Sequence, residues 1–131
     1  MSQKNHDLPG NWYKETPVGT VAADAAAQGV LFVAPYDCKI QVKVMTSSNI
    51  ETNVSNYATI SVIDGGATGT ATTSLGTFVT QSTGITANTL TDLVSTAKAI
   101  DEGDVVRFAV AQTASGVSLT GLSLITKYWP S

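Results

Sequence analysis

One cysteine, one histidine and few charges are what this sequence offers, and each scarcity removes a class of function. With Cys38 alone, no intrachain disulfide can form, so stability must come from packing or from association with other chains. Charged residues make up 13% of the chain, and its seven Lys and Arg are scattered within a net charge of -3. No basic field for phosphates results, and no nucleic-acid partner is expected. No apolar run approaches the roughly 18 residues of a membrane span, which argues against a membrane partner. Met1 to Asn11 is polar and lacks the apolar stretch of a secretory signal, so synthesis in a cytoplasm is expected. The sequon Asn53-Val54-Ser55 is accordingly discounted as a glycosylation site.

The same scarcity thins out catalytic chemistry. A Ser, His and acid set needs a histidine beside its nucleophile, and His6 lies in a polar N-terminal segment. Zinc sites draw on several Cys and His ligands, whereas this chain has one of each. Cys38 continues the apolar face of a strand and reads as a buried structural thiol. Asp101, Glu102 and Asp104 form the densest carboxylate cluster, yet acids around a glycine read more simply as a solvated turn than as a calcium site. The loop with Gly65, Gly66 and Gly69 lacks the Lys and the following helix of a phosphate cradle. No enzyme activity, cofactor or metal is expected.

What is present is β signal. The length of 131 residues suits one domain, and 43% hydrophobic content suits a packed core. From Val18 onward, short runs rich in Val, Ile, Thr and Phe alternate with Gly, Asn, Ser and Asp clusters, reading as about eight strands. In Cys38 to Met45, the residues Cys38, Ile40, Val42 and Val44 share one face, and Lys39, Gln41 and Lys43 share the other. Tyr57 to Asp64 turns Ala58, Ile60 and Val62 inward and ends in an Asp64-Gly65-Gly66 turn. Val105 to Ala111 buries Val106, Phe108 and Val110. Gly121 to Tyr128 buries Leu122, Leu124 and Thr126, with Pro130 ending the pairing. Weaker strands are expected at Val18 to Ala23, Gly29 to Ala34, Ser74 to Thr80 and Leu90 to Ala97. Ala22 to Ala27 is too short for a stable helix. The pattern predicts an all-β antiparallel sandwich, jelly-roll-like, over 18–131.

Residues 1–17 carry His6, Pro9, Gly10, Trp12, Tyr13 and Pro17 without a period and read as an extended arm. Trp12, Tyr13, Tyr128 and Trp129 are the one set with binding meaning. Their rings can pack on one another at one end of the sandwich, anchor an interchain contact or stack on sugars.

The order of features carries a resemblance. The run Val30-Leu31-Phe32-Val33-Ala34-Pro35, the alternating Cys38 to Val44, the Glu102-Gly103-Asp104 turn feeding Val105 to Val110, and the final Leu122 to Trp129 resemble the head decoration or cement proteins of tailed phages and the related head-fibre domains. The resemblance spans roughly residues 28 to 130 and rests on spacing, not on a diagnostic motif. It implies a non-enzymatic virion protein, made in the host cytoplasm, that binds the major capsid protein on the outer surface, often as a homotrimer, and stabilises the shell. The alternative is a carbohydrate- or receptor-binding module of a phage fibre, since jelly rolls commonly host lectin sites.

One core position tests the strand placement. Phe108→Ala is expected to cost about 3 to 5 kcal/mol by opening a cavity in a small core. A loss below about 1 kcal/mol in denaturant melts would put that ring off the buried face.

Overall fold

The computed structural model describes residues 11–131. They form eight strands: β1 (Trp12–Val21), β2 (Ala27–Val33), β3 (Cys38–Met45), β4 (Tyr57–Asp64), β5 (Thr73–Val79), β6 (Thr91–Ile100), β7 (Val105–Thr113) and β8 (Leu119–Pro130). Two four-stranded sheets result, sheet one in the order β1-β8-β3-β6 and sheet two in the order β2-β7-β4-β5, with every adjacent pair antiparallel. The pairs are nested. Strand β4 pairs with β5, β3 with β6, β2 with β7 and β1 with β8, as in one long hairpin whose tip is the β4–β5 connection. Rolling that ribbon until β3 meets β8 and β4 meets β7 splits it into two facing sheets, which is a jelly roll.

Period-2 alternation decides what lies between the sheets. Cys38, Ile40, Val42 and Val44 of β3 are buried, as are Leu122, Leu124 and Thr126 of β8 in the same sheet. From sheet two come Ala58, Ile60 and Val62 of β4, and Val106, Phe108 and Val110 of β7. These are the inward faces that the alternation predicts. The end of the sandwich between the β3–β4 and β5–β6 connections is closed by Ile50 and Ile85, which exchange backbone hydrogen bonds of 2.8 and 2.9 Å and are both buried. At the corner where β5 meets β6, Gly76 matters for space. A Cβ there would stand 3.0 Å from the Leu93 carbonyl oxygen and 3.0 Å from a Val94 methyl, so a bare backbone lets the two sheets approach.

The N-terminal boundary differs from expectation. Trp12 to Pro17, expected in an arm ending at residue 17, are the first six residues of β1 and pair in register with Tyr128 to Ser123. Pro17 hides the first half of this strand from a pattern reading, while the expected strand at Val18 to Ala23 overlaps its second half. Pro17 is tolerated because β1 is an edge strand, and Gly19, at a φ of 87°, sits where the register with β8 shifts. Residues 1–10, including His6, Pro9 and Gly10 of the expected arm, lie outside the described residues. At the other end of the chain β8 reaches Pro130, which faces Cys38 at the limit of the ladder.

The core contains one polar misfit. Thr126 is fully buried, and its Oγ1 has no hydrogen-bond partner. A buried hydroxyl without a partner costs roughly 1 to 3 kcal/mol. Thr126→Val, which keeps the branched shape and removes the hydroxyl, is therefore expected to raise stability by about 1 kcal/mol in urea melts. A lower midpoint would mean that the hydroxyl contributes to the fold through a partner of its own.

Candidate functional site

The four aromatic residues singled out in the sequence come together at one end of sheet one, but alternation sends them to opposite faces. Trp12 and Tyr128 are cross-strand partners whose rings stack with centroids 6.1 Å apart, and Tyr128 lies 4.8 Å from the ring of Phe32 on β2. This inward pair packs between the sheets. Tyr13 and Trp129, each one residue further along, belong to the outward face. Tyr13 is 67% exposed and pairs with Lys127, whose ammonium stands 5.4 Å over the Trp129 ring. The expected interface set is thus two back-to-back pairs, of which Tyr13 and Trp129 face outward.

Sheet one also collects cations, with Lys39, Lys43 and Lys127 on its outer face. Of the six described Lys and Arg residues, Lys14, Lys39, Lys43, Lys98 and Lys127 lie on its strands, and Arg107 alone lies on sheet two. Lys14 reaches across the edge to donate to the Leu31 carbonyl of β2 at 3.1 Å, which ties the two sheets together at that corner. At the centre of the face is a concavity of about 350 Å³, lined by residues of all four strands and by Leu90.

The concavity sits beside a break in the β3–β6 ladder. Six residue steps of β6, from Lys98 to Asp92, oppose only three of β3, from Ile40 to Lys43. The extra residues form a pronounced bulge. Gln41 answers it by donating its Nε2 to the Ser95 carbonyl at 2.6 Å. Beside it, Lys43 and Asp92 form an ion pair at 3.4 Å, the one salt bridge among the described residues. Both side chains are about half exposed, so this pair orients more than it stabilises.

Sheet two presents a different outer face. Its four strands carry two charged side chains, Arg107 and Asp64. Both are engaged with the β4–β5 connection. Arg107 donates to the Ala71 carbonyl at 3.1 Å, and Asp64 Oδ1 accepts from the Gly66 amide at 2.9 Å. The cross-strand pairs Ser61 with Ala109 and Thr59 with Ala111 fill the middle, and Val30 and Val33 stand about half exposed on β2.

The acids gather at the end of the sandwich where β8 finishes: Asp37, Asp64, Asp101, Glu102 and Asp104 occupy the connections and strand ends there. They serve as loop fasteners. Asp37 Oδ1 accepts from the Glu102 amide at 2.8 Å, and the Asp104 carbonyl accepts from the Ala34 amide at 3.0 Å. Among the described residues, no group of three or more His, Cys, Asp or Glu is placed to hold a metal ion. Cys38 is fully buried, and burial, with the nearby charge of Asp37, pushes its thiol pKa up, away from the thiolate that nucleophilic chemistry requires.

Sequence reading placed Gln41 and Lys43 on a wet strand face but did not join them to Asp92, Ser95 or Leu90. The bulge that brings β6 into the site breaks period 2, so alternation carries no sign of it.

The fold defines the class of protein: an eight-stranded jelly-roll sandwich. No protein-family model matches the chain, and no curated protein is similar to it. Among solved structures, a chain from the appendages of Bacillus endospores, described as disulfide-linked pili, is similar at 14% identity and a TM-score of 0.41, covering 99% of this chain and 96% of its own. A chain of infectious bursal disease virus, Gx strain, is similar at 11% identity and a TM-score of 0.30, covering 92% of this chain and 35% of its own.

The acidic end generates a pH dependence. Asp104 has its pKa raised by desolvation, then by the charge of Asp64 and a hydrogen bond shared with that carboxyl, and then by Asp101. The folded chain therefore holds this proton more tightly than the unfolded chain does. The resulting stabilisation is complete below the ordinary aspartate pKa and disappears as pH climbs through the raised value. Asp104→Asn is expected to flatten this fall, so that its stability relative to the unsubstituted chain improves between about pH 4 and about pH 7. Denaturant midpoints at the two pH values check it, and an unchanged difference would show that folding does not raise the Asp104 pKa.

Proposed function

We propose that the chain is a non-enzymatic structural subunit of a virion, a decoration or cement protein that seats on the outer surface of a shell built by a major capsid protein, as a homotrimer. The observation that supports this most is the outer face of sheet two. Its exposed positions are mainly Val, Ala, Ser and Thr, and its one charged side chain, Arg107, is tied to the adjacent loop. Depletion of charge marks the centre of protein interfaces. Short side chains also lose little rotamer freedom when covered, whereas each immobilised long side chain costs about 0.5 to 1.5 kcal/mol. A face of this kind gains from contact with another rigid surface, and several copies at one symmetry axis multiply the effect.

Stabilisation of a shell needs contacts that span subunit boundaries, so that separation must break them as well.

The test has two parts. Light scattering at several concentrations is expected to give a trimer mass, and co-sedimentation with shells of the major capsid protein is expected to retain the chain. Ala109→Arg places a long charged side chain at the middle of sheet two and is expected to weaken retention by about tenfold or more, a cost of about 1.4 kcal/mol. Lys43→Ala, on the opposite face, is expected to leave retention unchanged. Equal retention of Ala109→Arg would move the seat to another surface.

A further inference from the structure

We propose that the concavity on the outer face of sheet one is a binding site for a neutral pyranose glycan, with Tyr13 as the stacking platform and Gln41, Lys43, Asp92 and Ser95 as its polar lining. The proposal is independent of how the subunit seats, because sheets one and two face in opposite directions.

Shape comes first. A concavity of about 350 Å³ falls at the lower end of the volumes that hold small ligands, about 300 to 1,000 Å³, and one sugar ring with part of its neighbour fits there. It is bounded by a break in regular pairing, the β6 bulge, and bulges recur beside binding sites because they re-aim side chains. Gln41 is fixed by its bond to the Ser95 carbonyl, so the site is held by strand pairing instead of by a loop.

Chemistry then selects the ligand. Lys43 donates, Asp92 accepts, and the two stand 3.4 Å apart. Neighbouring hydroxyls of a sugar ring, each both donor and acceptor, match such an adjacent pair. Gln41 spends its Nε2 on Ser95 and keeps its carbonyl oxygen as an acceptor, and the Ser95 hydroxyl serves either way. Both ammoniums of the lining already have a partner, within a net charge of +1: Lys43 is paired with Asp92, and Lys127 lies over the Trp129 ring. An anionic ligand would have to draw these ammoniums away from Asp92 and Trp129, whereas a neutral sugar can use the pair as it stands. Tyr13, two-thirds exposed on the edge strand, presents an apolar ring face at the rim while its hydroxyl stays in water.

The intact chain, biotinylated and displayed as a tetramer on streptavidin, would be applied to a microarray of neutral and acidic oligosaccharides, since multivalent display makes a weak single site visible. Retention on neutral pyranose oligosaccharides is expected. Tyr13→Ala and Asp92→Ala should each reduce it by about tenfold, whereas Tyr13→Phe, which keeps the ring, should retain it. Ala109→Arg should bind glycans normally, so failure of the glycan site and failure of shell seating are read separately. The proposal is overturned by no retention on any glycan, by retention on acidic glycans alone, or by Tyr13→Ala binding as well as the unsubstituted chain.

Discussion

The ladder between β3 and β8 is the contact on which the rest of the molecule depends. It joins segments 78 to 92 residues apart, with Cys38 facing Pro130 and Met45 facing Ser123. Strand β1 hangs on the far side of β8, and β6 on the far side of β3, so sheet one has no other connection between its halves. The same ladder sets alternation for both strands at once. A slip of one residue would put the two apolar sets on opposite faces, turning either Ile40 and Val42 or Leu122 and Leu124 out to water. Because such pairing must close a very long loop before it is rewarded, folding is governed by non-local contacts and belongs to the slow end of small domains.

Much of the fold was legible because burial in a half-wet strand leaves a period of two. The bounds of Cys38 to Met45 and Tyr57 to Asp64 coincide with β3 and β4 for that reason. Of the first strand only Val18 to Val21 was legible, within the expected Val18 to Ala23. Pro17 reads as a breaker, and only its place at the edge makes it harmless. Strand order was equally hidden, since nested pairing is decided by contacts that no local window contains. Of the site, the aromatic set was visible as residue types, but its division into an inward and an outward pair follows from the register of β1 on β8. Asp92 and Ser95 were invisible as site residues, because they flank a bulge.

The two outer faces give the molecule a built-in asymmetry. Sheet one carries lysines, exposed rings and a concavity. Sheet two carries small uncharged side chains and half-exposed valines. The nested topology produces this division from one chain, because β1, β3, β6 and β8 all fall in one sheet while the intervening strands fall in the other. Residues adjacent in sequence are therefore sorted to surfaces of different chemistry. A thin sandwich can in this way meet two unlike partners at once.

The antiparallel pairing of β1 with β8 has a mechanical consequence. Trp12 begins β1 beside Tyr128, near the end of β8, so the described chain enters and leaves at one end of the sandwich. A pull applied between these two points runs across the strands and opens the β1–β8 hydrogen bonds one after another, as a zipper opens, and not all together in shear. The domain is therefore compliant to tension between Trp12 and Tyr128. Compression or shear delivered through the sheet faces is instead shared by the whole core, which makes the faces and not the ends its strong attachment points.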